Sequence, residues 1–134
     1  MLVVITTLVI IVTISAVSYT AIQSRSKSAS AISLANSVAK KAEAWKSAVG
    51  YFPTFTQLST NKVNIADSTP TAPAEGRLDD TSIVTNSATT NPTNEKRVGY
   101  KSCTTGAQVE YYDASAKAIR YLGVGGASST AICP

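Results

Sequence analysis

The chain changes character near residue 24. From Met1 to Ser24 every position is uncharged, and most are Val, Ile, Leu, Ala or Thr, so no polar face appears at any period. From Ala31 onward the apolar positions fall at Ala31, Leu34, Ala35, Val38, Ala42, Trp45 and Val49, in steps of three and four, with polar residues such as Ser37, Lys40, Lys41 and Lys46 between them. That spacing is helical. No Gly or Pro interrupts the chain before Gly50, and Pro53 follows closely. Gly tolerates the left-handed residue that ends many helices, and Pro lacks the N–H needed to continue one. The pattern predicts a single helix of about 49 residues, near 73 Å long at about 1.5 Å per residue. Its first half (1–24) is apolar all round, and its second half (25–50) is amphipathic.

Between Thr54 and Glu95 the periodicity is lost. Leu58, Val63, Ile65, Leu78, Ile83 and Val84 are scattered among Thr, Asn, Ser and Asp, and Pro70, Pro73 and Pro92 punctuate the stretch. Segment 51–96 therefore reads as a long connecting loop lying on the helix and held by those few side chains. Alternation then returns in RVGYKSCTT (97–105), AQVEYYD (107–113) and KAIRYLGV (117–124), with turns at 104–106 and 113–116. These are three strands of an antiparallel meander. Three short strands need another surface to be stable, and the amphipathic half-helix offers one. The fold class expected is α+β, a long N-terminal helix packed on a small antiparallel sheet (97–134) whose tail returns toward the first strand.

Composition narrows the chemistry. There is no His, which removes His-based triads, His metal ligands and the commonest general base near neutral pH. The net charge of +4 comes from scattered Lys and Arg without a block of five, which reads as solubility. Gly123-Val124-Gly125-Gly126 lacks the Lys-Ser/Thr and the following helix of a phosphate cradle and reads as a strand exit. Asp79-Asp80 is an isolated acidic pair, a thin basis for a Ca²⁺ site. Lys96, Arg97, Lys101, Lys117 and Arg120 near Tyr100, Tyr112 and Tyr121 offer a weak nucleic-acid surface, for which a solvated sheet face is the plainer account. No motif supports catalysis, and no cofactor is expected.

The all-round apolar half-helix has no partner within its own chain. It lies in lipid, packs on copies of itself, or does each in turn. At about 36 Å it is long enough for a hydrocarbon core of about 30 Å. A cleaved signal peptide would have a basic start, a shorter apolar centre and a loop after it, none of which is present. MLVVITTLVIIVTISAVSYTAIQSRSKSA instead resembles the N-terminal helix of type IV pilins and pseudopilins, bacterial filament subunits whose long helix packs by its C-terminal half on a small antiparallel sheet. Val3-Val4-Ile5 matches the family's apolar run, and Tyr19 falls at the family's spacing from it. KKAEAWKSAVGYFPTFTQL is similar to the family's helix end, where a Gly-aromatic-Pro turn follows. The glutamate and basic leader that precede the run in the family are absent, and Val9 and Val17 stand where the family usually has Gly and Pro. The register implies about five further residues ending in Glu ahead of Met1, since a terminal amine in a dry helical core needs a carboxylate.

The resemblance implies a ladle-shaped structural subunit, the major pilin of an extracellular filament at the cell surface serving adhesion or twitching motility. Its implied partners are identical subunits, the inner membrane before assembly, and the pilus assembly machinery. The filament core would be built by Leu2, Val3, Val4, Ile5, Leu8, Val9, Ile10, Val12, Ile14 and Val17, and the helix–sheet contact by Val38, Ala42, Trp45 and Val49. A secretion pseudopilin, a DNA-uptake pilin and a membrane-tethered binding domain are the alternatives. The two cysteines, Cys103 and Cys133, match the family's C-terminal pair loosely. In an exported domain they are expected to be bonded, the alternatives being two separate thiols or half of a metal ligand set.

Overall fold

Residues 2–49 contain neither Gly nor Pro, and they form one uninterrupted helix, α1 (Leu2–Val49), about 72 Å long at about 1.5 Å per residue. The computed structural model describes residues 2–64, 66, 72–87 and 92–133, with the side chains of residues 2 and 14–18 outside the description. Gly50 stops the helix with φ +94°, and its N–H donates to the Lys46 carbonyl at 2.7 Å. The left-handed ending expected from Gly50 is therefore present.

Among the described residues four strands follow, β1 (Val84–Asn86), β2 (Val98–Cys103), β3 (Gly106–Asp113) and β4 (Ala118–Val124), adjacent in that order in one sheet. β2, β3 and β4 make the antiparallel meander, with Val98 opposite Tyr111 and Val109 opposite Leu122. One strand was not expected: β1 lies parallel to β2, with Val84 opposite Val98. Three residues with a single apolar member carry too little alternation to be read as a strand.

Strand alternation divides the sheet into two faces. Val98, Tyr100, Ala107 and Val109 point at α1 and are buried with its Ala35, Val38, Ala39 and Ala42. The alanines let the strands come close, and β3 is the strand packed most extensively on α1. Among the described side chains of α1 the first buried one is Ser28, one turn beyond residue 24. Val38 and Ala42 meet the sheet as the helix–sheet contact requires, while Val49 is only half-buried. Trp45 is fully buried, with the backbone of Gly76 directly over it: a Cβ on Gly76 would stand 3.0 Å from the Trp45 Cα. Lys40 and Lys46 are exposed and Lys41 is half-buried.

Segment 51–96 is more ordered than a bare loop. It holds α2 (Phe55–Thr60) and two short 3-10 turns, Ala74–Gly76 and Thr81–Ile83, as well as β1. Thr54-x-x-Gln57 forms a capping box: the Gln57 N–H donates to Thr54 Oγ1 at 3.3 Å, and the Thr54 N–H donates to Gln57 Oε1 at 2.9 Å. Asn61, in the left-handed region at φ 55°, then ties the loop shut. Its Nδ2 donates to the Leu78 carbonyl at 2.8 Å, and its Oδ1 accepts from the Leu78 N–H at 2.9 Å. Of the scattered apolar residues, Leu58, Leu78 and Val84 join the core and Ile83 packs beside it, while Ile65 lies outside the described residues.

Candidate functional site

The first surface that calls for an explanation is the N-terminal half of α1. Val3, Val4, Ile5, Leu8, Val9, Ile10 and Val12, all assigned to a filament core, are between 57% and 72% exposed, as is Ile11. Leu2, Ile14 and Val17, assigned with them, have side chains outside the described residues. The hydroxyls along this rod turn inward. Thr6 donates to the Val3 carbonyl at 2.9 Å, Thr7 to the Val4 carbonyl at 2.9 Å, and Thr13 to the Ile10 carbonyl at 2.9 Å. Each threonine therefore satisfies its own polar atom and presents a methyl group outward. The rod can enter a dry environment on any side without stranding these hydroxyls. Among the described residues no helix is long and apolar enough to cross a membrane.

A polar latch joins the start of the packed helix to the head. Ser28 Oγ donates to Asp113 Oδ1 at 2.7 Å and accepts from the Ser115 N–H at 3.0 Å. The same carboxylate accepts from Ser115 Oγ at 2.6 Å, from the Ser115 N–H at 3.0 Å and from the Ala116 N–H at 3.2 Å. Arg120 stands 3.8 Å from its other oxygen. The hydroxyl bonds from Ser115 and Ser28 come first in holding the Asp113 carboxyl well below its ordinary range, because they favour the charged form. The latch fixes the β3–β4 turn against α1, and beside it runs a groove of about 390 Å³ between Thr20–Lys27 and the turn, with Glu95, Tyr112 and Lys117 in its walls.

On the face of the sheet away from α1, the tail after β4 is fastened twice. Cys103 and Cys133 are bonded, with Cα atoms 5.9 Å apart, as expected of this pair. In the neighbouring outward row Gln108 is fully buried. Its Nε2 donates to the Ser128 carbonyl at 2.8 Å and the Ala131 carbonyl at 2.7 Å, and its Oε1 accepts from the Cys133 N–H at 3.1 Å. Lys101 Nζ adds a bond to the Cys133 carbonyl. Gly125 starts this return: its φ is +66°, and a Cβ there would stand 2.3 Å from the Phe52 ring. The Gly-rich exit was legible in the sequence. The Gln108 clamp was not, since an outward glutamine on an alternating strand looks solvated.

Other candidate groups find structural uses. Asp80 Oδ1 accepts from the Ser82 N–H at 2.8 Å and caps the second 3-10 turn, and hydrogen bonding from the Ser82 hydroxyl first and its N–H second lowers the Asp80 pKa. Among the described residues no three His, Cys, Asp or Glu side chains gather where a metal ion would be held. The proposed basic and aromatic set does not share one face. Tyr100 is buried toward α1, where its hydroxyl donates to the Pro53 carbonyl at 2.9 Å, and burial pushes that phenol above its ordinary range. Lys101 is engaged with the tail, whereas Lys96, Arg97, Lys117 and Arg120 are exposed. Compared with models of known protein families, with curated proteins and with solved structures, the chain matches none.

Proposed function

We propose that this chain is a type IV pilin-like structural subunit of ladle shape, which polymerises with identical copies through its N-terminal half-helix. The observation that carries the reading is the apolar rod from Val3 to Val12, exposed along its described length while continuous with a helix that anchors a packed head. An exposed apolar surface of that extent marks an interaction site. Before assembly the rod rests in lipid, and in the filament it exchanges lipid for neighbouring rods. Both surroundings are similarly apolar, so the exchange is close to neutral and suits an external assembly machine. The self-satisfied threonines support this reading because they remove the polar cost of either environment. The head, stapled by its disulfide, then forms the outer surface at the cell exterior.

The test is to image the purified native assembly by electron microscopy alongside Val9→Lys. Val9 is 58% exposed in the single chain, and an ammonium buried there in a dry core has no partner. Helical filaments are expected from the native chain and none from the variant. Normal filaments from Val9→Lys overturn the rod as the polymer core, and no filament from the native chain favours a membrane-tethered domain.

A further inference from the structure

We propose that the base of the head, where the apolar rod emerges, is a collar that docks on anionic phospholipid headgroups while the subunit waits in the membrane. The inference rests on the reading of the rod as lipid-embedded before assembly and adds the surface that the head presents to the bilayer.

The argument starts from where the charges fall. The chain has twelve Lys and Arg against eight Asp and Glu, a net charge of +4. Six of the basic residues, Arg25, Lys27, Lys96, Arg97, Lys117 and Arg120, lie at the base, on the start of the packed helix, ahead of β2, and in or beside the β3–β4 turn. Among the described residues only Glu95 and Asp113 oppose them there. Among the described residues the base thus carries an excess of four positive charges, against six basic and five acidic residues elsewhere. That local excess is as large as the net charge of the whole sequence.

These groups are held together by contacts already described. The Ser28–Asp113 latch brings the β3–β4 turn to the helix, and Thr20, Lys27, Glu95 and Lys117 line one groove there. All six basic residues are exposed. Of the two acids, Asp113 is occupied by Ser28, Ser115 and Arg120, and Glu95 is half-buried. Next to them the apolar surface ends in Tyr19 and Ile22, 64% and 65% exposed. An apolar rod, then a tyrosine, then a ring of cations is the sequence of surfaces that matches hydrocarbon, interface and headgroup in turn. A second copy is a poorer occupant, because the other described charged residues, six basic and five acidic, present no net acidity to complement the collar.

Vesicle flotation of the full chain, diluted from detergent, tests this with neutral phosphatidylcholine and with vesicles containing about one-third phosphatidylglycerol. Each Lys or Arg near an anionic surface contributes roughly fivefold in partition, so the native chain is expected to favour the anionic vesicles by at least tenfold at low salt, and less as salt rises. Lys27→Gln with Lys117→Gln should lose most of that preference while still floating with neutral vesicles. Lys40→Gln with Lys41→Gln, away from the base, should keep it. Equal binding of the native chain to both vesicles overturns the collar, as does equal loss in the two double variants. Tighter binding to duplex DNA than to anionic vesicles also overturns it, in favour of a nucleic-acid surface. Failure to float with either vesicle overturns the lipid-embedded rod itself, a distinct result. Matching circular dichroism of the variants and the native chain confirms that their folds are intact.

Discussion

Replacing Gln108 by Leu separates the two fastenings of the C-terminal tail. The side chain is fully buried and makes three hydrogen bonds to tail backbone, at 2.7, 2.8 and 3.1 Å. Leucine fills a similar volume and makes none of them. At a net contribution of about 1 kcal/mol per bond, the loss is about 3 kcal/mol, and the carbonyls of Ser128 and Ala131 and the N–H of Cys133 are left to find water. The disulfide survives, so the tail stays tethered at Cys133 but loses its seat on the sheet. In detergent-solubilised full chain this should lower the thermal midpoint by roughly 10–15 °C. Hydrogen exchange should show the larger effect at Cys133, whose amide is protected only by Gln108 Oε1, while the β2–β3 ladder keeps its protection relative to the global stability. Reduction of the disulfide offers the second arm. In the native chain the clamp should hold the tail in place after reduction, whereas in Gln108→Leu reduction should release it and expose 126–133 to proteolysis. An unchanged midpoint together with unchanged Cys133 exchange would refute the clamp and leave the disulfide as the sole fastening.

Two further outcomes follow from the packed end and the latch. Trp45→Ala should cost about 3 to 5 kcal/mol in denaturant unfolding, because a fully buried ring is removed beneath Gly76, and a loss below about 1 kcal/mol would show that the ring is not packed. Trp45→Phe should cost much less, since the indole N–H it removes is buried without a partner. At the latch, the Asp113 carboxyl is held below its ordinary value by its hydroxyl and amide donors, so its contribution is fully present above about pH 4 and is lost as pH falls toward the lowered value. Asp113→Asn should therefore be less stable than the native chain at pH 7, with the difference shrinking on acidification. A difference independent of pH between 7 and 2 would contradict that linkage.

How much of this could be read in the chain depends on the kind of signal. The length of α1 was legible because helix termination is local: the first Gly after 49 residues without Gly or Pro is where it stops. The meander was legible because Val98, Tyr100, Val109 and Tyr111 alternate with polar neighbours over one buried face. The order in segment 51–96 was not read: Thr54 and Gln57 stand at capping-box spacing, but the helix they start is only six residues long. Its order comes from Asn61 bonding Leu78 seventeen positions away, which no local pattern encodes. The burial of Gln108 is of the same kind. Alternation correctly placed it away from α1, but a tail returning from beyond β4 covers that face. For the rod the case is reversed: its apolarity is plain in the sequence, and its exposure from Val3 to Val12 is plain in the fold.

The same covered face carries the sharpest remaining conflict between sequence type and surroundings. Glu110 sits on central β3, opposite Gly99 on β2 and Tyr121 on β4, and is only 2% exposed. Its Oε2 is buried without a hydrogen-bond partner, and Ser87 Oγ is likewise buried and unpartnered. The two lie on either side of Gly99: a Cβ there would stand 3.1 Å from Glu110 Oε2 and 3.2 Å from Ser87 Cβ. The glycine thus leaves room for the carboxylate, yet provides it no donor. Lys101, in the adjacent row, spends its ammonium on the Cys133 carbonyl. An unpaired buried charge costs several kcal/mol, while an incompletely bonded amide costs about 1 to 3 kcal/mol. Glu110→Gln keeps the shape and removes the charge, so it should leave stability unchanged or raise it by about 1 kcal/mol, read as an equal or higher denaturant midpoint at pH 7. Gly99→Ala should do the opposite by pressing a methyl group onto the carboxylate. A fall of more than 1 kcal/mol in Glu110→Gln would mean that the charge itself is stabilising there, and the unpaired-carboxylate account would have to be abandoned.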